Sequence, residues 1–511
     1  MNPTKTPGQH NGLSGQNGPQ AGGEKSDIRV ISANGDLILE YIAPADSSSS
    51  PTKHKWRVAS ELLISHSPYF QALLDPTKFS EGRQFSAQKQ AWNETQIPDS
   101  VSHHALPTVR LPGVQSTSMC GGDAIELFLK IICLDSFDEA ERVVFENDLK
   151  TQSTSLVARM IDLADSLNSP RAVQDVLQKI GYLYGKTKPA LLARFNSTLL
   201  SMKEDRIRQI IFISAFLDDS RLTRIMTHAL LVVGSRYWIN GLDGPEEESL
   251  RWKYLPNGLE EEVYRRRQYV LNTITDLQAH FLRVYGGLEE TDIARSAANS
   301  RTLGAAFTAS AHSLLQSRQF QCRGGFNNAS QCDLFQLGQM IRFFSICART
   351  IFLGSTLIDP DFDSTSNDGD HIAGESQPPG PPSDITVIIA SIKQYPDYSI
   401  DEAHTGCGVR RRIMPALECI EKFVWDDRGL LGITPASETT VSDPSRPSKW
   451  TRWADFTRKK HAVDISFARV TAVYYPSAPS KNQVTRSTPQ EELARLLFTA
   501  ARRDWSAAGS G

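Results

Sequence analysis

No stretch of this 511-residue chain comes near 18 consecutive apolar residues, so the pattern holds no candidate for a membrane-spanning helix. The first 25 residues are mainly Gly, Asn, Gln and Pro, with no apolar centre, and no secretory signal is expected there. Seven cysteines in so long a chain do not make a disulfide framework. A reducing intracellular compartment, cytoplasm or nucleus, is therefore the expectation. The net charge of -3 provides no chain-wide basic field, which argues against nucleic acid as the main partner. Catalytic signatures are also missing. There is no P-loop, no G-x-G-x-x-G behind a strand and no G-x-S-x-G elbow, and the expectation is a non-enzymatic protein.

What is present is enough apolar material, 40% of residues, to build about three domains. Residues 1–26 are poor in it and read as disordered. Order begins with Ile28–Ser32, an Asn34-Gly35-Asp36 turn, and the apolar run Leu37–Ile42, which together read as a hairpin. Trp56–Val58 reads as a further short strand. Ser60 stands where a helix N-cap stands, before Leu62, Leu63, Tyr69, Phe70, Leu73 and Leu74 at helical spacing. Ser67-Pro68 divides that run into two helices. Inserted loops are expected at 44–53 and at 86–107, the latter because its polar residues keep no period. Val109–Leu111 reads as a strand, and Asp123 as the cap of a helix with Ile125, Phe128, Leu129 and Ile132 on one face. Two more amphipathic helices come next, split at Asn168-Ser169-Pro170.

Gly35-Asp36, then Ser67-Pro68-Tyr69-Phe70, then Phe79-Ser80-Glu81 resemble, in content and order, the blocks of the BTB/POZ domain. The resemblance implies an α+β fold of short strands with helices over residues 27–185, closed by the helical pair. It also implies a protein–protein interaction module: a homodimer through the first helices and the N-terminal strand, with a partner on nearby helices. Asp36, His66, Tyr69 and Phe70 are the interaction residues it marks, and Tyr69 and Phe70 also read as packing residues.

The remainder reads as mainly α-helical. Residues 186–240 form a helical extension. Residues 241–475 form a helical C-terminal domain with a flexible loop at 359–383, and 476–511 a polar tail with a short helix. Leu259–Tyr285 is one long helix carrying Val263, Val270, Ile274, Leu277, Phe281 and Val284 on a stripe. Arg265, Arg266 and Arg267 interrupt it. They read either as a site for an acidic or phosphate partner or, preferably, as a solvated face paired with Glu260–Glu262. Arg410–Arg412 and the Arg458–His461 cluster near Trp450 and Trp453 likewise read as solvated faces rather than nucleic-acid contacts.

One constellation has metal-binding chemistry. Cys322 and Cys332 are separated by nine residues in a Gly/Asn-rich loop, and His404 and Cys407 form H-x-x-C in a second loop with Gly406 and Gly408. Three thiolates and an imidazole are a donor set for tetrahedral structural zinc. A wide C-x9-C spacing and 71 intervening residues require the two loops to be brought together. Cys347 and Cys419, on apolar helical faces, read as core filler. Both C-terminal blocks resemble the region after the BTB/POZ domain in fungal proteins of that type. The functional expectation is an adaptor, one partner class being a cullin-type ubiquitin ligase. A transcription- or chromatin-associated factor is the alternative, and an enzyme hidden in the C-terminal half is the third class.

Overall fold

The computed structural model of the chain describes residues 28–43, 52–94, 106–111, 121–186, 188–238, 241–242, 244, 250–288, 321–322, 328–348, 350, 384–435, 450–453, 464–466, 489–500 and 502–505. It contains a small four-stranded N-terminal sheet and is otherwise mostly helical. The chain divides into two compact units. The first comprises residues 1–140 with 165–169, the second 141–164 and 170–511.

In the first unit, β1 (Ile28–Val30), β2 (Leu37–Ile42), β3 (Lys53–Val58) and β4 (Thr108–Arg110) lie in the order β1-β3-β2-β4. The expected hairpin of Ile28–Ser32 with Leu37–Ile42 does not form, because β1 pairs parallel with β3, Arg29 beside Trp56, and β3 separates it from β2. β2 pairs antiparallel with β3, placing Leu39 opposite Trp56, and parallel with β4, placing Leu39 beside Val109. Leu37, Ile38, Leu39 and Tyr41 are all buried, so both faces of β2 are covered at this end, which is why its apolar residues run consecutively and do not alternate. Gly35 is needed at the turn, because a Cβ there would lie 2.8 Å from the Val58 carbonyl oxygen. β3 starts at Lys53 and so takes up the end of the expected 44–53 loop, because Ala43 and Thr52 continue the β2–β3 ladder.

α1 (Ser60–His66) and α2 (Pro68–Leu73) are separated at Ser67-Pro68, as expected. The Ser67 side chain caps α2 by accepting from Phe70 N, and donates to Leu167 O at 2.9 Å. Ser60 is not the cap of α1. It is the first helical residue, after Ala59, and its N–H and Oγ both bond Asp36 at 2.7 Å. The expected loop at 86–107 is corrected over 86–94, since α3 runs Ser80–Glu94, and residues 95–105 lie outside the described residues. This helix is recruited by polar contacts that leave no apolar period: Lys89 Nζ reaches Asp36 at 2.6 Å, and Gln88 accepts from Thr108 N at 2.9 Å. α4 (Gly122–Ile132) buries the expected face against the sheet, but Gly121, at φ +78°, precedes it and Asp123 lies in its first turn.

The second unit contains α5 (Glu139–Lys150) from Glu141 onward, most of α6 (Thr154–Ser166), and α7 (Pro170–Ile180), α8 (Glu204–Phe216), α9 (Ser220–Val233) and α10 (Leu259–Val284). After these come α11 (Ala329–Arg342), α12 (Ile385–Lys393) and α13 (Arg410–Val424). A strand pair, β5 (Asp464–Ser466) with β6 (Arg502–Asp504), and α14 (Pro489–Thr499) complete the order. α14 is more than a helix in a polar tail, because Leu493, Ala494, Leu497 and Phe498 recur one turn apart and are buried, as is Trp505.

The arginine triplet on α10 is not a solvated face. Arg266 and Arg267 are 2% and 3% exposed. Arg266 pairs with Glu262 at 2.9 Å and donates to the carbonyls of Leu431, Gly432 and Thr451. Arg267 donates to Leu231 O and Val232 O, and burial pulls its pKa down to about 10. Only Arg265 keeps to the outer side, near Glu262. A second buried pair, Arg208 with Glu260, is bidentate at 2.8 Å on each nitrogen. Guanidinium groups satisfy several backbone carbonyls at once, and so they can be taken into a core that must also bury loop ends.

Candidate metal centre

α11 begins after Asn328, and Cys332 lies in its first turns, donating its N–H to Asn328 O at 2.9 Å. Cys332 is thus on a helix and not in the loop expected from the glycines and asparagines before it. Beyond α11 the helix widens to a π-turn over Phe343–Cys347, which leaves Cys347 exposed rather than in the core. Cys419 is buried on α13, as expected.

The H-x-x-C segment is a built turn. Asp401 caps a 3-10 turn, Glu402–His404, by accepting from His404 N, and His404 O accepts from Cys407 N at 3.1 Å. Gly406 stands at φ +92°, a conformation L side chains rarely adopt. Gly408 has no room for a side chain, as a Cβ would lie 2.1 Å from Asp397 Oδ1 and 3.2 Å from Tyr398 O.

These two segments meet. The donor atoms of Cys322, Cys332, His404 and Cys407 all lie within 4.8 Å of one another. Cys322 Sγ is 3.2 Å from His404 Nδ1 and 3.7 Å from Cys407 Sγ. Tetrahedral zinc with Zn–S near 2.3 Å would set sulfur–sulfur edges of about 3.8 Å. The four residues therefore fit the ion in donor type, number and spacing. His404 presents Nδ1 to the cluster, while Nε2 lies 4.0 Å from the Asp401 carboxylate.

Cys332, His404 and Cys407 are buried, and Cys322 is half-buried. Burial first, and then the neighbouring Cys322 and Cys407 thiols, push Cys332 up to about 12. Burial and neighbouring thiols hold Cys332 in its neutral form, and a divalent cation at the cluster would reverse that preference.

Two supporting residues, Asp333 and Arg412, carried no signal of this role in the sequence pattern. Asp333, 1% exposed, accepts from the N–H groups of both Gln321 and Cys322 at 3.0 and 3.1 Å. Arg412 donates to the side-chain and main-chain oxygens of Gln321 at 2.6 and 2.9 Å. Tyr285, at the end of α10, is 1% exposed, and burial pushes its phenol up to about 12, with Arg412 opposing. Arg410 and Arg411 are engaged as well, the first with Lys393 O and Tyr395 O, the second with Asp397. Arg410 and Arg412 therefore organise this region, while Arg411 stays exposed as a solvated face would have it. The 458–461 cluster lies outside the described residues, as does the 359–383 loop.

The residues expected at an interaction surface divide by role. Asp36 is half-buried, and although burial opposes it, Lys89 and Ser60 hold its carboxyl below the usual range. Phe70 is fully buried and Tyr69 half-buried, in edge-to-face contact at 5.4 Å. His66 is exposed in the last turn of α1. Comparison with protein-family models, with curated proteins and with solved structures finds no match to this chain.

Proposed function

We propose that the chain is a non-enzymatic interaction protein whose helical unit is locked by one structural zinc ion on Cys322, Cys332, His404 and Cys407. The observation that carries this reading is the convergence of the four donor atoms within 4.8 Å, from segments separated by 71 intervening residues between Cys332 and His404. Soft thiolate ligands favour zinc over magnesium or calcium. Four protein ligands close a tetrahedral shell and leave no position for water or substrate, which is the arrangement of a structural site. The ion's binding energy then adds to the stability of the unit that presents the ligands. Metal analysis of the purified full chain tests this. One equivalent of zinc is expected, and Cys332→Ser and Cys407→Ser are expected to lose both metal and thermal stability. A zinc-free protein whose two variants melt like the parent would overturn the reading.

The N-terminal part of the reading is a BTB/POZ-type interaction unit. The element order supports it: a β2–β3 hairpin starting at Gly35-Asp36, a helix pair divided at Ser67-Pro68, then β4 and α4. The partner classes are a second copy of the chain, a cullin-type ligase for an adaptor, or chromatin components for a transcription-associated factor. Sedimentation equilibrium of the full chain tests the first. A dimer weakened by substitution of the exposed His66 supports it, and a monomer at all concentrations excludes it.

A further inference from the structure

We propose that Asp333 and Arg412 form a clamp that positions Cys322 as the last ligand of the metal centre, an inference that rests on the zinc reading above. Three of the four ligands are placed by local structure: Cys332 by α11, and His404 and Cys407 by the capped turn and its glycines. Cys322 belongs to no helix or strand, and it is the most exposed of the four. Its position is set by side chains from two other elements.

Asp333 comes directly after the ligand Cys332 on α11, and its two carboxylate oxygens take the successive N–H groups of Gln321 and Cys322. Arg412, five residues past Cys407 on α13, holds both oxygens of Gln321. Two residues of chain are thus fixed by four hydrogen bonds, each to an ionised side chain, and such bonds are shorter and stronger than neutral ones. Both clamp residues are carried by elements that also carry or adjoin ligands, so the clamp and the other three donors keep a common frame. Charge obeys the same logic. Three thiolates and one divalent ion leave one net negative charge, Asp333 adds another, and Arg412 offsets part of the excess. Without the clamp, Cys322 must be ordered at the moment of metal binding.

Cobalt(II), a visible reporter of tetrahedral thiolate sites, tests the clamp in the reduced, metal-stripped full chain. Asp333→Asn and Arg412→Gln are each expected to weaken cobalt binding roughly 10- to 100-fold, the usual effect of losing a residue that supports a ligand. At saturation both should show the parent three-sulfur, one-nitrogen spectrum, because all four ligands remain. Their metal-free melting should stay near that of the metal-free parent, and the loss should appear in the metal-induced rise. Cys419→Ser, a buried thiol away from the cluster, should bind like the parent. Undiminished cobalt affinity in Arg412→Gln would overturn the clamp even if Asp333→Asn fails to fold. Melting lowered equally with and without metal would overturn it too, by showing a purely structural role. A parent chain with no thiolate-to-cobalt band would overturn the metal centre and the clamp with it.

Discussion

Replacing Arg266 with Met tests how much of the helical unit depends on a charge taken into its core. The guanidinium is fully enclosed, pairs with Glu262 at 2.9 Å, reaches three backbone carbonyls and lies 4.6 Å from the centre of the Trp453 ring. The thioether fills similar volume and keeps the ring contact, but it leaves a carboxylate 1% exposed without its main partner. Breaking a buried pair on one side costs about 3–5 kcal/mol. The lower part of that range applies, because Arg265 at 3.4 Å and the Trp453 N–H at 3.0 Å still face Glu262. For a unit of this size, about 3–4 kcal/mol is a fall of roughly 4–8 °C in the melting midpoint. The double variant Arg266→Met with Glu262→Leu removes the orphaned charge and should recover at least about 1 kcal/mol of the loss, since apolar replacement of a buried pair is often tolerated. Chemical denaturation of the full chain, the singles Arg266→Met and Glu262→Leu, and the double variant, read through the midpoint, measures this. A single variant within about 1 kcal/mol of the parent, or a double variant worse than the sum of its singles, would refute the assignment of Arg266 as a buried cross-link.

His228 makes a pH prediction. Its Nδ1 accepts from Leu431 N and its Nε2 donates to Val424 O, and burial lowers its pKa to about 4. The neutral ring is the folded form, so its contribution is fully present above about 6.5 and lost as pH falls toward 4. A gap of about 2.5 at 1.36 kcal/mol each is about 3 kcal/mol, and a His228→Gln chain should lack that slope in denaturation midpoint against pH. Gly432→Ala would place a Cβ 1.8 Å from Arg224 O, and a loss of roughly 1–3 kcal/mol is expected in the same assay. Asp36→Ala removes the acceptor of Ser60 and Lys89 and should cost roughly 1–3 kcal/mol at neutral pH. That contribution is present above about 3.9 and disappears as pH falls through the lower folded value, so parent and variant should converge in acid.

The parts legible in the sequence were those where one residue type dictates the outcome locally. Pro68 cannot continue α1, and Ser67 caps α2, so the break was visible. The Val263-to-Phe281 stripe made α10 visible. α3 was not, because Phe85 is its one strongly buried apolar residue and it is anchored by Lys89 and Gln88 to partners distant in sequence. Arg266 and Arg267 looked solvated for a similar reason: the carbonyls that Arg266 meets at Leu431, Gly432 and Thr451 lie 165 to 185 residues away. At the metal centre, donor chemistry and turn glycines identified all four candidate ligands. The helical placement of Cys332 and the roles of Asp333 and Arg412 depend on which backbone donors and acceptors the fold leaves to be satisfied there.

Zinc K-edge X-ray absorption on the purified full chain tests the central claim most directly. Three sulfurs near 2.3 Å and one nitrogen near 2.0 Å are predicted, the shell of a closed structural site. A shell dominated by light atoms, or containing a water in place of one sulfur, would contradict it.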